Sequence, residues 1–210
     1  MLRTEELEFQ YNPGEDPLVF PNISLEKSEE HLLILGKSGK GKTTLLHLLA
    51  GLLKPSAGKI FLDDFRIDRV KAAALDAFRG KNIGLVFQKN YALDSLTVLE
   101  QLQARLFFAQ RPQNRAVIDH ILQELDMSAY RDRKINQLSQ GQLQRLAIAL
   151  SVIHKPKLIL ADEPSSSLDD ENCTAVIELL KQQALKTGAH LVVVTHDQRI
   201  KGQFQKTMSL

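Results

Sequence analysis

Gly36-Lys37-Ser38-Gly39-Lys40-Gly41-Lys42-Thr43 decides the fold of this chain. It fits the pattern G-x-x-x-x-G-K-[ST], a loop whose backbone N–H groups cradle phosphate oxygens. The context required of such a loop is present. The apolar run His31 to Leu35 reads as a strand before it, and Thr44-Leu45-Leu46-His47-Leu48-Leu49 reads as a helix after it. Glycines let the backbone turn its amides toward an anion, and the helix start adds its positive dipole end. Lys42 is expected between the β- and γ-phosphates of a nucleoside triphosphate, and the Thr43 hydroxyl on Mg²⁺.

Outward from the loop, short apolar runs recur: Leu32 to Leu35, Ile83 to Phe87, Leu158 to Ala161 and Leu191 to Val194. Such runs suit parallel strands covered on both faces. With helical patterns between them, the class is α/β. The first thirty or so residues and Gly58 to Asp68 differ. Looser alternation and turns at Asn12-Pro13-Gly14 and Asp63-Asp64 predict antiparallel strands beside the core. From Thr97 to Tyr130 the pattern is helical, with Val117, Ile118, Ile121, Leu122 and Leu125 on one face. Arg111-Pro112-Gln113-Asn114 interrupts it, and Asn114 can cap the next helix. An inserted helical lobe is therefore expected.

Composition narrows the function. The chain has 210 residues and a formal net charge of +2, with no block of like charge, which argues against nucleic acid as the main partner. Its single cysteine, Cys173, cannot form an internal disulfide and suits a reducing compartment. No apolar run reaches the ~20 residues of a bilayer span, and the start lacks a signal-peptide pattern. Any membrane part of its work is expected from another chain, without direct membrane insertion.

Leu158-Ile159-Leu160-Ala161-Asp162-Glu163-Pro164 is a strand ending in two carboxylates. Alone, such a pair also suits a helix N-terminus. Downstream of a phosphate loop it reads as Asp162 holding Mg²⁺ through water and Glu163 polarising the attacking water. Thr195-His196-Asp197 follows a third core strand in the same way, which makes His196 a candidate γ-phosphate contact.

Leu138-Ser139-Gln140-Gly141-Gln142, followed by Leu143-Gln144-Arg145-Leu146-Ala147-Ile148-Ala149, identifies a family. Taken alone, Ser139 is a helix cap. The segment resembles the ABC signature, usually written Leu-Ser-Gly-Gly-Gln. Other family elements occur in order. Tyr11 resembles the aromatic that stacks on adenine. Gln88 resembles the glutamine that joins core to helical lobe and senses Mg²⁺ and γ-phosphate. Asp162 and Glu163 resemble the Walker B pair, Ser167-Leu168-Asp169 the loop that crosses the dimer interface, and His196 the switch histidine.

The resemblance spans the chain. It implies one ABC-type ATPase domain over residues 1–210, with a P-loop core and antiparallel β subdomain from 1–90 and 136–210 and a helical subdomain from 91–135. ATP and Mg²⁺ are the implied cofactors. Catalysis falls to Glu163, His196, Lys42 and Gln88. Nucleotide contacts fall to Tyr11, Gly36, Lys37, Ser38, Gly39, Lys40, Gly41, Lys42, Thr43, Thr44, Ser139, Gln140, Gly141, Gln142 and Asp169. Metal contacts fall to Thr43, Gln88 and Asp162. The implied partners are a second copy, forming composite ATP sites, and integral membrane subunits that place the chain on the cytoplasmic face of the inner membrane. The region from Tyr91 to Gln110 either meets those subunits or is ordinary core.

Two departures stand out. Gln140 replaces the usual glycine and adds bulk where the opposite nucleotide should approach, and Leu150 stands where many relatives carry arginine. The stretches Lys81 to Gln88 and Leu96 to Glu100 resemble ATPases of lipoprotein-release and macrolide-export systems. Related cell-division ATPases leave a second reading: gating of a cell-wall enzyme without moving cargo. A non-transport ABC ATPase acting on DNA or ribosomes fits poorly, since the chain has neither a second ATPase unit nor a coiled coil.

Overall fold

The computed structural model describes residues 1–26, 30–88, 92–166 and 168–210. Tyr91 and Ser167 therefore lie outside the described residues. In chain order the elements are β1 (Leu2–Phe9), β2 (Leu18–Val19), β3 (Ser24–Leu25), β4 (His31–Leu35), α1 (Lys42–Leu49), β5 (Ala57–Leu62), β6 (Phe65–Arg66), α2 (Ala72–Asn82), β7 (Ile83–Val86), α3 (Val98–Phe108), α4 (Arg115–Glu124), α5 (Gln140–Val152), β8 (Leu158–Asp162), α6 (Asp170–Thr187), β9 (His190–Thr195) and β10 (Lys206–Ser209). They make two sheets. One is antiparallel, in the order β2-β1-β5-β6 with β3 also on β1. The other is parallel, in the order β10-β4-β9-β8-β7.

The apolar runs form the parallel sheet because both of its faces are covered. Every residue of β8 and β9 is buried. Side chains of a strand alternate between faces, and here the alternation divides the core. Leu33, Leu35, Ile159, Ala161, Leu191 and Val193 pack with residues of α3, α4, α5 and α6. Leu32, Ile34, Leu158, Leu160, Val192 and Val194 pack with α1 and the antiparallel sheet. Each such leucine, isoleucine or valine contributes roughly 1.5–3 kcal/mol on full burial.

Helices α3 and α4 of the expected lobe, and α5 beyond it, start on capping residues. Thr97 and Glu100 form a capping box on α3, Asn114 accepts from the Ala116 amide to cap α4, and Ser139 and Gln142 form a capping box on α5. Val98, Leu102 and Leu106 of α3 and Ile118, Ile121 and Leu122 of α4 join the apolar cluster that runs under the parallel sheet.

Two elements had no counterpart in the sequence reading. Helix α2 has no fully buried residue, so its sequence carries no apolar stripe; it is held by Phe78 stacked on Phe65 at 3.6 Å. Strand β10 is mostly exposed and polar, and it extends the sheet by pairing Lys206 through Ser209 with Leu32 through Leu35.

Candidate functional site

Strand register creates the site. Leu35 pairs with Thr195, and Asp162 pairs with Val194, so β4, β8 and β9 end side by side. Ligands of open α/β sheets bind beyond such carboxyl ends. The phosphate-loop sequence leaves β4 there and enters α1. Its Gly39 and Gly41 adopt φ of 81° and 83°, a left-handed conformation that a side chain would strain. The first turn of α1 carries no acidic residue, so its positive dipole end faces the cleft uncompensated.

Lys42 is only 7% exposed, and its ammonium donates to the carbonyls of Gly36 at 2.8 Å and Lys37 at 3.1 Å. It also lies 3.7 Å from Glu163 Oε1. The loop's own carbonyls and one carboxylate thus hold a cation where phosphate oxygens can replace them.

Thr43 Oγ1 donates to Asp162 Oδ2 at 2.9 Å. Asp162 Oδ1 is buried with no hydrogen-bond partner among the described residues. Burial, assisted by the Glu163 charge, raises the Asp162 pKa, while the Thr43 bond opposes the shift. A hydroxyl beside a carboxylate with an unmet oxygen is a hard-oxygen donor set that Mg²⁺ would satisfy, so these residues fit the metal.

Glu163 stands at φ 49°, a rare conformation for a residue with a side chain, fixed by its N–H donating to Val194 O at 2.8 Å. This backbone turns the carboxylate toward β9. Thr195 Oγ1 donates to Oε2 at 2.6 Å, the His196 amide donates to Oε1 at 3.1 Å, and His196 Nδ1 lies 2.9 Å from Oε1. A carboxylate held this way can accept a proton from water, and the imidazole beside it can contact a developing phosphate charge.

A cleft of about 870 Å³, inside the range of ~300–1,000 Å³ for small-molecule sites, gathers most of these groups, though neither Asp162 nor Thr195 lines it. Gly36, Lys37, Ser38, Gly39, Gly41, Lys42, Thr43, Thr44, Glu163 and His196 line it, with Gln88 exposed at its rim; Lys40 does not line it. Tyr11 also lines it, 60% exposed. Its ring packs edge-on to Phe9, and its hydroxyl shares a 2.6 Å hydrogen bond with Thr44 Oγ1.

Ser139, Gln140, Gly141, Gln142 and Asp169 are not in that cleft. Gln140 and Gly141 line a separate groove of about 290 Å³ with Leu168, Asp169 and Asn172. The Ser139 amide donates to Gln142 Oε1 at 2.9 Å, and Asp169 accepts from the Asn172 amide at 2.9 Å, capping α6. The two depressions share no lining residue. The sequence reading missed Thr195, although it sits in the quoted Thr195-His196-Asp197; its signal was a hydroxyl one residue before the candidate histidine. It also missed Gln198, Ser209 and Leu210, which line the cleft and carry no motif.

Comparison with known proteins shows the family. The family model described as "ABC transporter" matches residues 21–166. The chain is similar to the lipoprotein-releasing system ATP-binding protein LolD of Idiomarina loihiensis, 34% identical over 98% of this chain and 92% of the relative. It is also similar to LolD of Bacteroides fragilis, 37% identical over 91% and 90%. Among solved structures, the dimeric ATP-binding cassette MJ0796 in a post-hydrolysis state bound to ADP and Pi superposes with a TM-score of 0.88 at 30% identity, covering 100% of this chain and 94% of that one. Phosphate loop, paired carboxylates, signature segment and full-length relatives together place the chain: it belongs to the ABC transporter family, as an ATP-binding and ATP-hydrolysing subunit.

Proposed function

We propose that two copies of this chain sandwich two ATP molecules and that the closing and opening of the pair drives separate membrane subunits of a lipoprotein-release type complex. The observation that carries this reading is the separation of the motifs. Lys42, Glu163 and His196 line one cleft, whereas Gln140, Gly141 and Asp169 line another on the same copy. A two-fold pair with each cleft facing the signature groove of its partner uses every motif twice. MJ0796, solved as a dimer, supports the same arrangement.

In each cleft the loop Gly36–Thr44 cradles the phosphates, with Lys42 released from the Gly36 and Lys37 carbonyls to hold them. Tyr11 stacks on the base. Thr43, Asp162 and Gln88 would hold Mg²⁺, which would supply neutralisation of the phosphate charge. Glu163 orients and deprotonates the attacking water, and His196 steadies the γ-phosphate. Ser139 through Gln142 and Asp169 close from the other copy. One domain spans the chain, with its helical part within 91–135.

The membrane subunits are proposed to dock in an apolar groove of about 650 Å³ between α2, β7, α3 and α5. Leu93 and Phe108, 57% and 69% exposed, lie along it, and the neighbouring Phe107 is 64% exposed. Exposed apolar surface of that kind marks protein contacts. A chain docked there works on the cytoplasmic face of the inner membrane. Among the described residues no helix is long and apolar enough to cross a membrane.

The test is Glu163→Gln. Loss of the base slows turnover by roughly 10²- to 10⁴-fold and leaves ATP uncleaved between two copies, so the variant elutes as a dimer with ATP and a monomer without it. A variant that stays monomeric in saturating ATP and turns over like the wild type refutes the reading.

A further inference from the structure

Arg199 joins two loops that the proposed reaction uses separately. It sits just past His196-Asp197, at the start of the 3-10 turn Gln198–Gln203. Its Nε donates to Asp197 Oδ1 at 2.9 Å and its Nη2 to Asp197 Oδ2 at 2.7 Å. The same guanidinium crosses to the loop between β8 and α6. There Nη1 and Nη2 lie 3.4 and 3.3 Å from the Leu168 carbonyl, and Nη1 pairs with Asp170.

Asp197 is itself anchored. Its side chain is 8% exposed, and Oδ2 also accepts from Ser165 Oγ at 3.3 Å and from the buried thiol of Cys173 at 3.6 Å. Arg199 holds its pKa down to about 2, so Asp197 is charged at neutral pH. The result is a cluster in which one planar cation satisfies the loop after β9 and the loop after β8 together. Arginine's rigid fork allows this, and a lysine ammonium, a single point of charge, cannot span all three acceptors.

The two loops face different depressions. His196 and Gln198 line the nucleotide cleft, whereas Leu168 and Asp169 line the groove with Gln140 and Gly141. In the two-copy arrangement, on which this inference rests, the first serves a copy's own ATP and the second serves its partner's.

We propose that Arg199 is a positioning residue that fixes the His196 loop and the Leu168–Asp170 loop in one relation, so that the groups serving both nucleotides of the pair are set together. Misplacement of a reacting group by about 1 Å can cost ~10²-fold in rate. Loss of the bridge therefore acts on turnover and not on the binding of nucleotide to a single copy.

The experiment compares Arg199→Ala and Arg199→Lys in the full-length chain by kcat, KM, melting temperature and calorimetric ADP affinity. Both are repeated on Glu163→Gln to score ATP-driven dimers. Arg199→Lys keeps the charge beside Asp197 and loses the fork to Leu168. For Arg199→Lys the expected result is a melting temperature near wild type, ADP affinity and KM within about 2-fold, dimers intact, and kcat lower by roughly 10- to 100-fold; Arg199→Ala also loses the charge beside Asp197 and melts lower. Wild-type kcat in Arg199→Lys overturns the proposal, because charge alone then suffices. A kcat loss that only tracks a fall in melting temperature, or a rise in KM at constant kcat, also overturns it. Should Glu163→Gln alone remain monomeric with ATP, the two-copy reading fails first; should it dimerise while Arg199→Lys turns over normally, only the Arg199 assignment falls.

Discussion

Gly84→Ala measures how tightly the nucleotide site is tied to the helix that carries the signature. Gly84 lies in β7 with its backbone against the end of α5. A Cβ built there would sit 2.0 Å from the Ser151 carbonyl oxygen and 2.9 Å from its carbon. The obstacle is backbone, so no side chain can swing aside. An ordinary carbon–oxygen contact needs more than about 3 Å, so α5 and β7 must separate by over ~1 Å in an interior packed to crystal density. Overpacking of this kind costs about 1–3 kcal/mol and occasionally more. A strand alanine recovers roughly 0.5–1 kcal/mol through backbone entropy. With little room to yield, the net cost should sit at the upper end of that difference, about 2–2.5 kcal/mol. For a chain of this size that lowers the melting temperature by roughly 4–10 °C. Separation also moves β7, which runs toward Gln88, relative to α5, which starts at Ser139. ATP turnover should therefore fall further than the folded fraction does. Thermal melts with and without nucleotide, alongside phosphate release, read both effects. A melting temperature within 2 °C of wild type, with unchanged turnover, would show that the two elements do not meet as described.

Lys42→Ala removes the charge-assisted contact proposed for the phosphates, worth about 1.5–3 kcal/mol. ATP affinity by calorimetry should fall roughly 10- to 150-fold; an unchanged value would rule out the phosphate cradle. Arg199→Ala tests the linkage at Asp197, whose carboxyl moves from an ordinary 3.8 down to about 2 in the folded chain. A depressed carboxyl adds stability that is full above its unfolded pKa and disappears as pH falls through the folded one. The urea midpoint of Arg199→Ala should therefore lie below wild type at pH 7, and the gap should close between about pH 4 and pH 2. A gap constant over that range would exclude the ion pair as its source.

Gly36 to Thr43, Asp162-Glu163 and His196 were legible as site candidates because each closes or follows an apolar run, and strand ends are where a parallel sheet exposes chemistry. Asn114 and Ser139 were legible as caps because capping is decided by local hydrogen bonds. Helix α2 was not, since its contacts are side-on, through Phe78 and partly buried Leu75, and leave no periodic stripe. Nor was β10, an edge strand with little buried surface, specified by its neighbour β4 more than by its own residues. The left-handed turn at Glu163 escapes pattern reading altogether, because that residue type gives no warning of positive φ. Arg199 was invisible for a further reason: its acceptors, Leu168, Asp170 and Asp197, come together only when two loops from different strands are folded side by side.

Cys173, the chain's single cysteine, is 1% exposed, and burial pushes its thiol pKa up. Thiolate is the reactive form and needs access, so the native chain is silent toward maleimides and disulfide exchange. A new cysteine on an exposed face becomes the sole addressable handle on each copy. Spin labels, fluorophores or cross-linkers placed opposite Gln140 can then report the spacing between two copies without first stripping thiols from the background.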